Sequence, residues 1–285
     1  MLRAVRFAAR FGFEIEAETF AAIREHAAEI AKIAAERVRD ELNRILTEGG
    51  AARGFRLLDE SGLLEVILPE VAAMKGVEQP PEFHPEGDVW THTLLMLEGL
   101  DEPSVTLAWG VLLHDVGKPP TFRVADRIRF DGHVEEGVKI AESIGERLRF
   151  SRDEIDRIVA LVANHMRFMH IAEMRQSKLK RFLRLPAFDE HLALHRLDCV
   201  SSHGHLANYE FARRKLEEEP EEALRPEPLI TGHDLIAAGF TPGPKFGEIL
   251  AAVEDAQLEG VLSDRDEAMR FVRERFGVIA GPGAE

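Results

Sequence analysis

The chain has 285 residues, 45% of them hydrophobic and 31% charged, a balance that excludes an intrinsically disordered protein and, at ~100–200 residues per domain, allows two or three small domains. Lys and Arg total 36 against 51 Asp and Glu; the net charge of −15 excludes a protein that coats nucleic acid by bulk charge, so any such contact needs a local basic patch. A single cysteine, Cys199, excludes a disulfide framework and a cysteine zinc finger, no apolar run reaches the ~18–20 residues of a membrane span, and the first residues lack a signal-peptide core, so a cytoplasmic protein with no membrane partner is expected.

One Tyr, 7% aromatics and abundant Ala, Leu and Glu favour an all-α fold. Phe20, Ile23, Ala27, Ile30 and Ala34 recur at helical steps, Val38, Leu42, Ile45 and Leu46 continue the rhythm, and Gly49-Gly50 is the expected stop. A second amphipathic stretch through Phe55, Leu58 and Leu63 ends near Pro69. Three prolines within residues 80–85 mark a linker or docking loop and a domain boundary. At least five helical patterns follow from Val89 to about Leu216, with one strand-like string, Arg127 to Phe130, read as half of a small hairpin. The acidic run of residues 217–222 reads as a solvated linker, a last helical region spans Gly232 to about Phe276, Asp264 reads as part of a helix cap, and residues 277–285 read as a loose tail. The expected regions are 1–78, 79–216 and 217–285.

The informative chemistry is the series His92, His114-Asp115, His133, His165 and Asp198. His114-Asp115 closes an apolar run from Val105 to Leu113, where two polar groups are costly unless paired or coordinated. Adjacent residues on a helix diverge by about 100°, so the pair can embrace one ion from two sides. Imidazoles and carboxylates without thiolate suit Mg, Mn, Fe, Co or Ni better than structural zinc. Six such groups suffice for two ions, with Asp115 the natural shared carboxylate. Lys118, three residues on, is either a point charge for a phosphate oxygen or a solvent-facing loop lysine.

This order of residues resembles the HD superfamily of metal-dependent phosphohydrolases. His92, His114, Asp115 and Asp198 match its basic motif, and His133 and His165 match the two further histidines of members that hold two metals; the alternative for those two is a role behind the ligands or facing substrate. The flanks are similar to bacterial CCA-adding enzymes and poly(A) polymerases: Leu2 to Phe13 resembles their neck helix, Glu36 to Leu42 the next helix, and Leu229 to Pro244 the body segment that follows the HD domain. The resemblance implies neck and body helices in 1–78, an HD bundle in 79–216 and a helical body segment in 217–285. The glycine-serine turn, paired aspartates and Glu-Asp-x-x-Arg string of the family's nucleotidyltransferase head are absent from this sequence. A head-less chain is therefore expected: a fragment, a truncated reading frame or half of a split enzyme, with no nucleotidyl transfer of its own.

Two basic features bear on RNA. Arg3, Arg6 and Arg10 share one helix face, which the resemblance places near nucleotide and primer phosphates; pairing with acidic neighbours is the other reading. Residues 167–184 hold Arg167, Arg175, Lys178, Lys180, Arg181 and Arg184 against Glu173 alone, which is either an RNA backbone cradle or a solvated basic helix. The expected function is hydrolysis of a small nucleotide or phosphodiester, such as a 2′,3′-cyclic nucleotide, by one or two divalent ions, with Asp115 and Lys118 catalytic. The alternative is a tRNA-binding body without hydrolase chemistry, with tRNA and a separate nucleotidyltransferase head as partners.

Overall fold

The structure is a computed structural model in which residues 1–277 are described; the expected tail lies, beyond Gly277, outside them. The chain divides into two compact units, one of Met1–Met169 with Asp189–Glu210, the other of His170–Phe188 with the chain from Phe211 onward. Helices dominate the described residues, with one short hairpin among them, as the composition implies.

In the first unit, α1 (Leu2–Phe11) buries Leu2, Val5, Ala8 and Ala9 along one face. Glu16 caps α2 (Ala17–Glu25) by accepting the Glu18 and Thr19 N–H groups. The expected continuous helix to Leu46 is broken: Ala27–Lys32 is a 3-10 helix, Ile33 and Ala34 are extended, and α3 (Ala35–Thr47) starts afresh. The apolar rhythm survives the break because both pieces bury Ile23, Ala27, Ile30, Val38 and Leu42 in one core. Gly50, at φ 75°, turns the chain into α4 (Ala51–Glu60) where a side chain would collide with the Ala9 carbonyl. Then come α5 (Leu63–Ile67) and α6 (Pro69–Ala72). Pro69 opens α6 instead of ending the stretch, since a proline fits the first helical position, where no N–H partner is needed.

Residues 77–88 are irregular, as their prolines require, and Asp88 ties the loop off by accepting the Gly76 and Thr91 N–H groups. Next are α7 (Val89–Glu98), α8 (Val105–Leu113) and the short α9 (Lys118–Thr121). The strand-like string is half of a two-stranded antiparallel hairpin, β1 (Arg123–Val124) against β2 (Ile128–Arg129). α10 (His133–Arg147) and α11 (Arg152–Asn164) follow, the latter opened by a Ser151–Glu154 capping box. One continuous core runs from Leu2 to Leu197 and centres on the fully buried Trp109 and Phe55. Trp109 Nε1 donates to Asn43 Oδ1 at 2.7 Å, tying α8 to α3, so the boundary expected at 78/79 falls inside one packed unit.

Next come a 3-10 segment (His165–Glu173), α12 (Gln176–Leu183) in the second unit, α13 (Phe188–Ser201), which belongs to the first but for Phe188, and α14 (Ala207–Glu218), along which the chain enters the second unit. The second unit adds α15 (Glu221–Leu224), α16 (Gly232–Ala237), α17 (Lys245–Leu258) and α18 (Arg265–Phe276) around its own core of Ile230, Leu235, Ile249, Val253 and Val272. Asp264 caps α18 by accepting the Glu267 N–H. The acidic run is not a bare linker: it ends α14, and α15 buries Leu224.

Candidate metal centre

Five segments of the first unit converge on Asp115. His92 lies in the first turns of α7, His114 caps the C-terminus of α8 with Asp115 next to it, and His133 opens α10. His165 caps the C-terminus of α11, and Asp198 comes from α13. The approach of α10 depends on Gly117, where a Cβ would collide with the His133 carbonyl and the Gly137 backbone. His92, His114, Asp115 and His165 are each no more than 3% exposed, and His133 and Asp198 are half-buried.

The Asp115 oxygens face two ways. Oδ2 lies 3.2 Å from His114 Nε2 and 2.6 Å from Lys118 Nζ, while Oδ1 lies 3.6 Å from His165 Nε2 and 4.0 Å from His133 Nε2. His92 Nε2 lies 3.2 Å from Asp198 Oδ1, and His92 Nδ1 lies 2.6 Å from Glu86 Oε1; neither N–H points straight at its oxygen. The donor atoms of His92, His114 and Asp115 lie within 4.8 Å of one another, as do those of Asp115, His133 and His165.

The ring nitrogens are not equivalent. The Nδ1 atoms of His114, His133 and His165 lie 2.9, 2.9 and 2.7 Å from the carbonyls of Val111, Phe130 and Val162, three residues earlier in each case. A carbonyl only accepts, so the proton sits on Nδ1 and a lone pair is left on Nε2. The Nε2 atoms of His92, His114, His133 and His165 are all buried without a hydrogen-bond partner. Buried orphans are expensive, and four turned toward two carboxylates fit a divalent cation. The set contains no thiolate: burial pushes the neighbouring Cys199 thiol up to about 12. Mn, Fe, Co, Ni or Mg suits these donors.

The electrostatics agree with that donor set. Burial pushes the Asp115 carboxyl upward, but the charge of Lys118 and the neighbouring His114 outweigh it and hold the group well below the usual carboxylate range. Asp198 is held low in the same way by His92. Burial lowers His165 to about 4, so it is a neutral imidazole at physiological pH. Burial also disfavours the charged form of His92, yet the Asp198 and Glu86 carboxylates overcome this and raise it to about 9.

Lys118 is neither exposed nor open to solvent. It is buried, contacts Asp115, donates to Gln79 Oε1 at 2.6 Å and lies 5.3 Å from the Phe130 ring centroid. Glu86, His84 and Gln79 were invisible as site residues, because they occupy the proline-rich loop that reads as a linker. The only signal was an acid and a histidine packed closely before His92.

Most of the basic residues are paired with acids. Arg6 is buried against Glu41 (3.0 Å) and Glu48 (3.2 Å), and Arg10, still exposed, pairs with Glu48 at 2.7 Å, so both tie α1 to α3 and its C-terminal cap. Arg3 remains exposed beside Phe7. In the second unit Arg175 pairs with Asp255, Lys180 with Glu219, and Arg181 with Glu254 and Asp255, while Lys178 is exposed. The expected RNA cradle is thus largely neutralised by acids from other helices.

Residues 88–222 match the family model described as HD domain, and residues 12–75 match one described as probable RNA and SrmB-binding site of polymerase A. An A-adding tRNA nucleotidyltransferase from Deinococcus radiodurans is 35% identical over 95% of this chain, which spans 66% of that protein. A multifunctional CCA protein from Pseudomonas paraeruginosa is 31% identical over 94% of this chain and 67% of its own length. A solved CCA-adding enzyme with ATP superposes with a TM-score of 0.55 at 17% identity, over 99% of this chain and 60% of that one, a likeness of fold alone. With more than 30% identity across two thirds of such a relative, the chain belongs to the family of CCA-adding tRNA nucleotidyltransferases, within which it carries the RNA-binding-site segment and the HD domain.

Proposed function

We propose that the cluster around Asp115 is a divalent-metal centre that hydrolyses phosphoesters of small nucleotides, with 2′,3′-cyclic nucleotides as the substrate class to test first. The observation that carries this reading is the set of four buried Nε2 atoms without partners, facing two carboxylates. His92, His114, Asp115 and Asp198 would hold one ion, and Asp115, His133 and His165 a second. A bound divalent ion would supply Lewis acidity toward a phosphoryl oxygen and lower the pKa of water. Asp115 spans both histidine groups, so it couples the two positions. Lys118 offsets the charge of Asp115 Oδ2 and holds a cation at the edge of the site. The test is an assay of the purified chain with Mg²⁺, Mn²⁺, Co²⁺, Ni²⁺ and Fe²⁺, one at a time, on bis(4-nitrophenyl) phosphate and 2′,3′-cyclic AMP. Turnover that is lost in Asp115→Asn is the expected result, and no turnover with any ion would overturn the hydrolase reading.

The match of residues 12–75 to an RNA-binding-site model favours a second, compatible reading: the helical body engages tRNA, and a nucleotidyltransferase head works with it. Arg3 and Lys178 are exposed cations from which such contacts would be built. Fluorescence anisotropy with labelled tRNA tests it; binding that Arg3→Ala and Lys178→Ala weaken supports it, and no binding at low salt contradicts it.

A further inference from the structure

The four histidines of the centre are not held alike. Three of them sit at helix ends or just outside, where the carbonyl three residues back accepts Nδ1–H, Phe130 O doing so beside the His133 backbone N–H. His92 cannot use that device. It lies inside α7, and the corresponding carbonyl, Val89 O, already accepts the Thr93 hydroxyl at 2.9 Å in addition to its place in the helix.

Two carboxylates flank His92 instead. Glu86 Oε1 is 2.6 Å from Nδ1 and Asp198 Oδ1 is 3.2 Å from Nε2. A neutral ring has one proton to give. If it goes to Nε2, the nitrogen that faces Asp198 and His114 is blocked as a ligand; if it goes to Nδ1, Nε2 keeps its lone pair. Glu86 stands nearer, is 8% exposed at its side chain, and is fixed from behind by His84, whose Nδ1 lies 2.9 Å from the same Oε1 and whose ring meets His92 edge-on at 4.9 Å. The other oxygen, Oε2, is buried without a partner, so the contacts of this carboxylate to the two rings run through Oε1.

We infer that Glu86 is the positioning residue of the centre: with His84 behind it, it draws the His92 proton to Nδ1 and so leaves Nε2 as a metal ligand. This rests on the metal-centre reading above. It assigns to a loop side chain the task that backbone carbonyls perform for the other three imidazoles.

The test uses the full chain, Glu86→Ala and Glu86→Gln, with Co²⁺ as the probe. Glu86→Ala should weaken Co²⁺ binding by about 10–100-fold and change the visible Co²⁺ spectrum. Glu86→Gln should recover most of the affinity, because its amide oxygen still accepts from Nδ1. A second readout needs no metal. Ring ¹⁵N spectra of the metal-free protein, at a pH where His92 is neutral, should show the proton on Nδ1 in the wild type and on Nε2 in Glu86→Ala. An unchanged tautomer in Glu86→Ala, or undiminished Co²⁺ affinity, would overturn the assignment. A wild type that binds no Co²⁺ would instead overturn the metal-centre reading, while the tautomer would still decide the role of Glu86.

Discussion

Lys118 Nζ lies 2.6 Å from Asp115 Oδ2, and both side chains are largely buried, 9% and 3% exposed. Lys118 is the cation closest to the carboxylate that both histidine groups share. Removing it leaves the Asp115 carboxylate buried without its nearest cation. Lys118→Met should therefore destabilise the metal-free protein by about 3 kcal/mol, and a saturating divalent ion should restore most of the loss, because the ion supplies the missing positive charge. Thermal unfolding with and without Mn²⁺ checks this; a variant as stable as the wild type without metal contradicts it.

Metal affinity should depend on pH through His92. Its folded pKa is raised to about 9, so between pH 6.5 and 9 the ring carries a proton that must leave before Nε2 can ligate. Affinity should rise by about tenfold per pH unit up to about pH 9 and then level off. Calorimetry at pH 7.5 in buffers of different ionisation heat should count about one proton released as the His92 position fills, whereas a flat pH profile would contradict the linkage.

The stability of the metal-free fold has the opposite dependence at each end. His92, raised by its carboxylates, contributes stability that is complete below pH 6.5 and is lost as pH rises through about 9. His165, lowered to about 4 by burial, acts the other way: folding weakens as pH falls from 6.5 toward 4, by about 3 kcal/mol over that window. Denaturant titrations at pH 4, 6.5 and 9.5 should place the maximum near 6.5; stability that increases from 6.5 to 4 would contradict this.

Gly117 carries no chemistry, yet it sets the distance between the His114-Asp115 turn and α10. Gly117→Ala would press a methyl against the His133 carbonyl and the Gly137 backbone. A loss of about 1–3 kcal/mol and weaker occupancy at His133 and His165 should follow. Unchanged melting and metal stoichiometry would show that α10 yields without cost.

What the sequence revealed depended on where each partner lies along the chain. His114-Asp115 was legible because two polar groups end an apolar run, and Asp264 because a cap is a local signal. The break at residues 26–34 was not, since no Gly or Pro marks it and both halves keep apolar residues in step with one core. The basic stretch misled for a related reason: the acids that neutralise Arg175 and Arg181 lie more than 70 residues away on α17. Glu86 was hidden because loop residues have no periodicity, and only the return of the chain beside His92 reveals its neighbour.

The centre itself is tested most directly by metal content. Purified wild type and Asp115→Asn, equilibrated with Mn²⁺, Co²⁺ or Ni²⁺ and freed of loose ions, should be compared by elemental analysis. The account predicts one to two equivalents of ion in the wild type and loss from both positions in Asp115→Asn, because that carboxylate faces both histidine groups. A wild type without metal, or an Asp115→Asn protein that retains the full complement, would contradict it.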